Sequence, residues 1–335
     1  MASLKDVAER AGVSIATASR VATGSTYVRP ETRDRVELAM QDLLYVAPGR
    51  TTDSGAIGLL LPEFGNPVFA ALAQSLEAYA TDAGYVAILC NTQGSVAREA
   101  SYVHMLIERR VEGMVFICAE ATDIRGDHAH YVQLLDRGAR LVFVNGGFES
   151  PSSTIVGIDE RASGRLATEH LIELGHQRIG FVAGESFSQA TREKLSGYDD
   201  ALYAAGLGPT GAAAHAPFTV DGGREAFRAL MDKGDGIRPT GVICSNDLMA
   251  IGAMLEASAL GLHVPTDVSI VGFDGIEAGA WVQPALTTIA QPIDDIAETA
   301  IAALRKLIES PDQAQPNYVF RPQLHVGGTT AAPGS

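Results

Sequence analysis

Cysteine is scarce in this chain, and what there is lies scattered. Cys90, Cys118 and Cys244 are odd in number and far apart, which excludes a disulfide framework and a CxxC metal or redox site. Each ends an apolar run (VAILC, MVFIC, GVIC) and reads as a small buried residue at a strand end. Long hydrophobic runs are missing too, since none approaches the ~20 residues of a membrane span. The opening MASLKDVAERAG has no apolar signal-peptide core, so a cytoplasmic location is expected. Catalytic signatures are also absent: there is no Walker-type phosphate loop, GxSxG elbow or HExxH pair. GESFS around Ser186 lacks the second glycine of an elbow. Asp199 and Asp200 are adjacent, point different ways on a helix and make no acid–base pair. Neither enzyme activity nor a cofactor is expected.

Positive charge is in deficit: 25 Lys and Arg face 40 Asp and Glu, a net charge of −15. The deficit is uneven. Residues 1–50 carry a net charge of +1 and the remainder −16. A Debye length of ~8 Å at physiological salt keeps a distant acidic body from repelling DNA from a near-neutral head. It also suppresses non-specific binding.

What the chain does have is length and pattern. Its 335 residues exceed what one core organises, so two or three units are expected. In the first fifty, three short helices can be read. Ser3 with Asp6 is an N-cap signature, and Leu4, Val7, Ala8 and Ala11 form one stripe. Gly12 permits a tight turn. Ser14 caps a second helix with Ala18, Val21 and Ala22 facing inward, and Pro30 starts a third, whose buried face is Val36, Ala39, Met40, Leu43 and Leu44. This helix-turn-helix pattern places a second helix in a major groove, with Ile15, Ala16, Ser19 and Arg20 outward. Arg20 suits bidentate pairing with guanine, Ile15 or Ala16 suits thymine methyls, and Ser19 suits a phosphate. On spacing alone, a plain three-helix packing element with a solvated Arg20 fits equally well.

The stretch KDVAERAGVSIATASRVATGSTYVRPETRDRVELAM resembles the head of the LacI/GalR family of repressors. The similarity continues in family order through GLLLPEFGNPVFAAL, HLIELGHQRIGFVAG, VICSNDLMAIGAM, VSIVGFDG and PALTTIAQP, nearly the whole chain. The resemblance implies a DNA-binding regulator, homodimeric or tetrameric, whose body is like periplasmic sugar-binding proteins. It makes Ser14, Ile15, Ala16, Thr17, Ser19, Arg20 and Tyr27 the DNA-contacting residues. The partners so implied are a pseudo-palindromic double-stranded operator and a small-molecule effector, a sugar or sugar derivative. The tail TTAAPGS lacks the leucine heptads of a tetramerising helix. One departure concerns the connection VAPGRTTDSGA, Val46 to Ala56. It is shorter than the family's hinge helix, contains Pro48, Gly49 and Gly55, and lacks the leucine that opens the minor groove. A flexible linker is expected there. In a smaller departure, Arg29 stands where the family often has a serine cap.

From Ala56 onward, apolar runs (AIGLLL, YVAILC, GMVFIC, RLVFVN, TIVGI, RIGFVA, GVIC, VSIVGF, LTTI) alternate with amphipathic helices. This reads as parallel βαβ units and doubly wound sheets. The fold class expected is a small all-α helix-turn-helix head plus an α/β body of two doubly wound parallel-sheet lobes, periplasmic-binding-protein-like. The domains expected are 1–47 (head), 48–55 (short linker) and 56–335 (effector binding and dimerisation). Lobe one takes about 56–160 plus 291–320, and lobe two about 161–290 plus 321–330, with helix 293–309 and a last strand near QLHVGG returning.

Ligands sit at the carboxyl ends of such strands. Asn66, Phe69, Asn145, Phe148, Arg192, Lys194, Phe218, Asn246, Asp247 and Asp274 fall at or near such ends. Polar groups of these kinds fix sugar hydroxyls, and aromatic faces cover the C–H surface. The resemblance assigns effector contacts to Asn66, Phe69, Asn145, Arg192, Lys194, Phe218, Asn246 and Asp274. Structural roles stand beside these: helix caps for Asn66, Asn246 and above all Asp247, and core packing for Phe69 and Phe218. Lys194 replaces the family's usual arginine, a point charge for a planar fork. Trp281 reads either as lobe-hinge packing or as a stacking wall. His128 and His130, near Asp127, read as a solvated loop rather than a metal pair. The function expected is therefore a transcriptional repressor controlled by a sugar in the interlobe cleft. The second reading is an intracellular sugar-binding protein whose operator binding is weakened or lost through the shortened linker.

Overall fold

Three short helices build the first unit, residues 1–55: α1 (Leu4–Ala11), α2 (Ile15–Ala22) and α3 (Pro30–Asp42). The computed structural model describes residues 3–22, 28–43, 45, 55–118, 120–147, 154–208, 213–232, 238–311, 313 and 316–334. Tyr27, Leu44, Phe148 and all of linker 48–55 except Gly55 lie outside them. Ser3 and Asp6 form a reciprocal capping box on α1: the Asp6 carboxylate accepts the Ser3 N–H at 2.6 Å, and the Ser3 hydroxyl accepts that of Asp6 at 3.4 Å. Gly12 ends α1 at φ +65°, where any side chain would be strained. The Ser14 hydroxyl accepts the Thr17 N–H (3.1 Å), capping α2. The core is small-residue packing: Ala8, Ala11, Ala18, Ala22 and Ala39 close around Val7, Val21, Val36 and Met40. Arg10 pairs with Asp42 at 2.8 Å, fastening α1 to α3.

The second unit, residues 56–335, alternates strand and helix. Its first half runs β1 (Ala56–Leu61), α4 (Pro67–Asp82), β2 (Val86–Asn91), α5 (Val96–Glu108), β3 (Gly113–Ile117), α6 (Ala129–Asp136), β4 (Leu141–Val144) and β5 (Thr154–Ile158). Then come α7 (Glu160–Glu173), β6 (Ile179–Ala183), α8 (Gln189–Ala204), β7 (Ala213–His215), α9 (Val220–Met231), β8 (Gly241–Cys244), α10 (Asp247–Ala259), β9 (Ser269–Asp274), α11 (Ala278–Trp281) and β10 (Thr287–Ala290). The chain ends with α12 (Ile293–Glu309), β11 (Tyr318–Phe320) and β12 (Gln323–His325).

Two six-stranded sheets result, ordered β11-β5-β4-β3-β1-β2 and β12-β10-β9-β8-β6-β7. Among the described strands of the two sheets, only the β10–β12 pairing is antiparallel. The central strands of the first sheet, β1, β3, β4 and β5, are buried on both faces, the mark of a sheet covered by helices on either side, whereas its edge strands β2 and β11 are not. Ile57, Leu59 and Leu61 face α4 and α12, whereas Leu60 faces the opposite layer with Leu106, Phe116, Tyr131 and Phe143. Gly58 sits on that second face because α5 comes close: a Cβ there would fall 2.5 Å from Leu106. Both sheets are wound alike, so their order reverses between β1 and β3 and again between β6 and β8. Those two switch points are where ligands settle in doubly wound folds. Strands β7 and β11 were not expected from the sequence. Each is a three-residue edge strand, paired on one side only, to β6 and β5 respectively.

Candidate functional site

A cavity of about 780 Å³ opens between the two sheets, within the size range of small-molecule sites. Seven of the eight residues proposed from the sequence to contact an effector line it: Asn66, Phe69, Asn145, Lys194, Phe218, Asn246 and Asp274. Arg192 does not. It lies two positions from Lys194 on α8, about 200° round the helix, and is exposed outside the cavity wall. The geometry thus corrects that assignment.

The floor is a chain of side chains drawn from both halves. Asn145 Nδ2 donates to Gln291 Oε1 (2.7 Å), and Gln291 Nε2 donates to Asp274 Oδ1 (2.8 Å). Asn66 also hydrogen-bonds the Asp274 carboxyl. Burial pushes that carboxyl up to about 6, against the pull of the nearby Lys194 charge. Lys194 is itself buried and pairs with Glu160 at 2.6 Å, while its ammonium lies 5.1 Å from the Phe273 ring centre. Gln291, at the end of β10, and Glu160, just past β5, were missed in the sequence although the same strand-end rule points to both.

The backbone is strained where it lines this cavity. Five described non-glycine residues have positive φ, and four of them (Gln93, Cys118, Asn145 and Asp274) are in its wall. Such residues persist where surrounding structure holds them, typically at binding sites. Cys118 is therefore not a plain strand-end residue: it is half-buried in the wall, its thiol pushed up to about 12 by burial and the Glu160 and Asp274 charges. It is a poor nucleophile.

Across the cavity mouth the two halves touch. The Ile124 N–H donates to the Phe187 carbonyl (3.0 Å) beside an antiparallel bridge between Asp123 and Ser188. The Arg125 guanidinium lies 3.6 Å from the Phe187 ring centre and pairs with Asp123 at 2.7 Å.

Several open alternatives close. Asn66 and Asn246 cap α4 and α10, accepting from Val68 (3.2 Å) and Met249 (2.8 Å), while also lining the cavity. Asp247 neither caps α10 nor lines the cavity. Its buried carboxylate accepts from the Thr288 hydroxyl (2.6 Å) and the Ile276 N–H (2.8 Å), tying α10 to β10 and to the turn after β9. Trp281 is 70% exposed at the end of α11, so it neither packs a hinge nor walls the cavity. His130 is not simply solvated: its ring lies 3.8 Å from that of Tyr131, tilted by 40°, with Nε2 3.7 Å from Glu120. Glu99, Glu120 and His130 offer three metal-ligand atoms within 4.8 Å of one another. Both Glu99 oxygens, however, already accept hydrogen bonds, from the Tyr131 hydroxyl and the Glu120 N–H. The group therefore works as a polar anchor between α5, α6 and the turn after β3.

On α2, Ser14, Ala16 and Arg20 are exposed, Thr17 and Ser19 partly so, and Ile15 is 51% exposed. An isoleucine left in solvent on a helix whose other face is fully packed gains nothing for folding.

A three-helix head with an outward-facing second helix, followed by two like-wound sheets around a cleft, defines the class: a DNA-reading module with a periplasmic-binding-protein-like body. Comparison with known proteins gives the family. Residues 3–47 match the bacterial regulatory proteins of the lacI family, and residues 168–330 match the periplasmic binding protein-like domain. An uncharacterized HTH-type transcriptional regulator in the aml 5′ region of Streptomyces limosus is 39% identical, over 98% of this chain and 94% of that protein. The lac repressor dimer bound to operator and the anti-inducer ONPF superposes with a TM-score of 0.82 at 29% identity, covering 99% of both chains. The transcriptional regulator CelR in complex with cellobiose gives a TM-score of 0.74 at 29% identity, over 98% of this chain and all of that one. The chain belongs to the LacI family of bacterial transcriptional regulators and is not an enzyme. No helix among the described residues is long and apolar enough to cross a membrane.

Proposed function

We propose that this protein is a cytoplasmic repressor that binds a pseudo-palindromic operator as a homodimer and changes its operator affinity when a sugar occupies the cleft. The cleft carries the reading: amide, carboxylate, ammonium and aromatic groups converge from strand ends of both sheets. That is the equipment for a polyhydroxylated ligand. Residues 1–47 form the DNA-binding domain and residues 56–335 the effector domain, joined by the short linker 48–55. Ser14, Ile15, Ala16, Thr17, Ser19 and Arg20 face the DNA, with Arg20 on guanine and Ile15 or Ala16 on thymine methyls, and Tyr27, outside the described residues, is assigned a DNA contact from the resemblance. Asn66, Phe69, Asn145, Lys194, Phe218, Asn246 and Asp274 hold the effector. Because both sheets contribute, a ligand that favours one lobe spacing shifts the head spacing of the dimer. Such a coupling is typically worth ~1–3 kcal/mol.

The test is selection of random DNA by the purified full-length protein at stated salt, followed by competition with sugars. A palindrome with half-sites about one helical turn apart is expected. Arg20→Ala is expected to weaken binding to it and relax its sequence preference. No enriched sequence, alongside measurable sugar binding, would replace this reading by that of an intracellular sugar binder whose shortened linker has cost it the operator.

A further inference from the structure

The cleft wall is unbalanced in charge. Among the described residues, seven carboxylates line it against a single lysine, and that lysine is already paired with Glu160 at 2.6 Å. Asp123 has Arg125. Glu63, just past β1, and Glu185, just past β6, enter from opposite sheets. Burial holds the Glu185 carboxyl above the usual carboxylate range, and the Glu63 charge adds to the effect. Neither has an ion-pair partner among the described residues.

Helix N-termini are the other device by which a protein holds an anion. Five of them, those of α4, α5, α7, α8 and α10, open on this cavity. In each, a side-chain cap already takes up one of the free N–H groups: Asn66 on Val68, Ser95 on Arg98, Asp159 on Ala162, Ser188 on Thr191 and Asn246 on Met249. A third observation agrees. Asn145 is only 7% exposed, and its Oδ1 is a buried acceptor with no donor among the described residues. Its amide nitrogen is already given to Gln291. The wall therefore offers acceptors in excess, and what completes it is a ligand rich in donors.

Resting on the cleft as effector site, we propose that the effector is a polyol without an anionic group, uncharged or amine-bearing, and that the cleft rejects its phosphorylated form. The regulator then senses a sugar before phosphoryl transfer, as it is taken up or released by glycoside hydrolysis, and stops responding once a kinase has acted on it.

Calorimetric titration of the full-length protein with matched probes tests this. Glucose, glucosamine and glucose 6-phosphate form one set, ribose and ribose 5-phosphate a second, and cellobiose and its 6′-phosphate a third. In at least one set the neutral or amine form is expected to bind about a hundredfold more tightly than the phosphate, the effect of setting like charges together. The double variant Glu63→Gln, Glu185→Gln, checked for native circular dichroism, is expected to narrow that gap. A phosphate binding as tightly as its neutral partner, or a gap the double variant leaves unchanged, overturns the charge inference. If the Asp274→Asn change then weakens the phosphate's binding, the cleft reading itself still stands. Failure of every probe to bind overturns the polyol reading of the cleft and this inference with it.

Discussion

Replacing Gly197 by alanine tests how Lys194 of the cleft is held. Helices α7 and α8 cross backbone to backbone at two glycines. A Cβ on Gly197 would lie 1.9 Å from the Arg161 carbonyl oxygen, and one on Gly164 2.0 Å from that of Lys194. Real Cβ contacts stay above 3.0 Å, so the helices must part by at least 1.1 Å at Gly197. Both clashing groups belong to hydrogen-bonded helix backbone and cannot swing aside. The cost then falls at the upper end of the ~1–3 kcal/mol of overpacking. Alanine's better helix propensity returns about 1 kcal/mol, leaving a net loss of about 2 kcal/mol. In urea melts of the body followed by far-ultraviolet circular dichroism, that is a midpoint lower by roughly 0.7–1 M at a slope of about 2–3 kcal/mol/M. The same parting, along the Lys194–Glu160 line, would carry the pair from 2.6 Å to 3.7 Å, beyond hydrogen-bond reach. Effector affinity should fall with stability. Glu193→Ala, an exposed change on the same helix, should stay within about 0.5 kcal/mol of the parent. A Gly197→Ala protein as stable as the parent would refute the close-crossing argument.

Other expectations follow from single contacts. Tyr131→Phe removes the hydroxyl donor from the buried Glu99 carboxylate and should cost about 1–3 kcal/mol, read as a lowered melting temperature; an unchanged value would show that the carboxylate finds another donor. Effector binding should weaken as pH falls through about 6. The buried Asp274 carboxyl takes up a proton there and accepts fewer hydroxyls, so the association constant drops about tenfold per pH unit below that point. A flat affinity between pH 5 and 7 would exclude Asp274 as a charged contact. Arg125→Ala removes the stacking on Phe187 at the cleft mouth. Worth about 0.5–1 kcal/mol, its loss should raise the effector's dissociation rate about two- to fivefold in stopped-flow measurements. No change would mean the mouth contact does not retain the ligand.

Much of this architecture follows from local pattern. Short continuous apolar runs identify the nine longer strands, and periodicity places the long helix 293–309. By contrast, β7 reads as three residues of an alanine-rich stretch (Ala213–His215), and only its pairing with β6 makes it a strand. The difference is one of range: a helix face or a two-sided strand is written in neighbouring residues, whereas an edge strand exists through its partner. The cleft divides similarly. A rule about strand ends leads to Asn66, Asn145 and Asp274. It also led to Arg192, because it carries no information about which way a helix turns. Asp247 looked like a cap by position, yet its carboxylate turns away from its own helix to Thr288 and Ile276.

The sequence by itself determined that a helix-turn-helix head precedes a doubly wound body, since caps, glycine turns and hydrophobic periods are local physics. Only the tertiary structure decided which charges meet. Lys194 finds Glu160 because Gly164 and Gly197 let two helices touch. Glu63 and Glu185 confront each other because both β1 and β6 end at the same cleft. Electrostatic partners are set by distances between elements far apart in the chain, and those distances exist only once both sheets have packed.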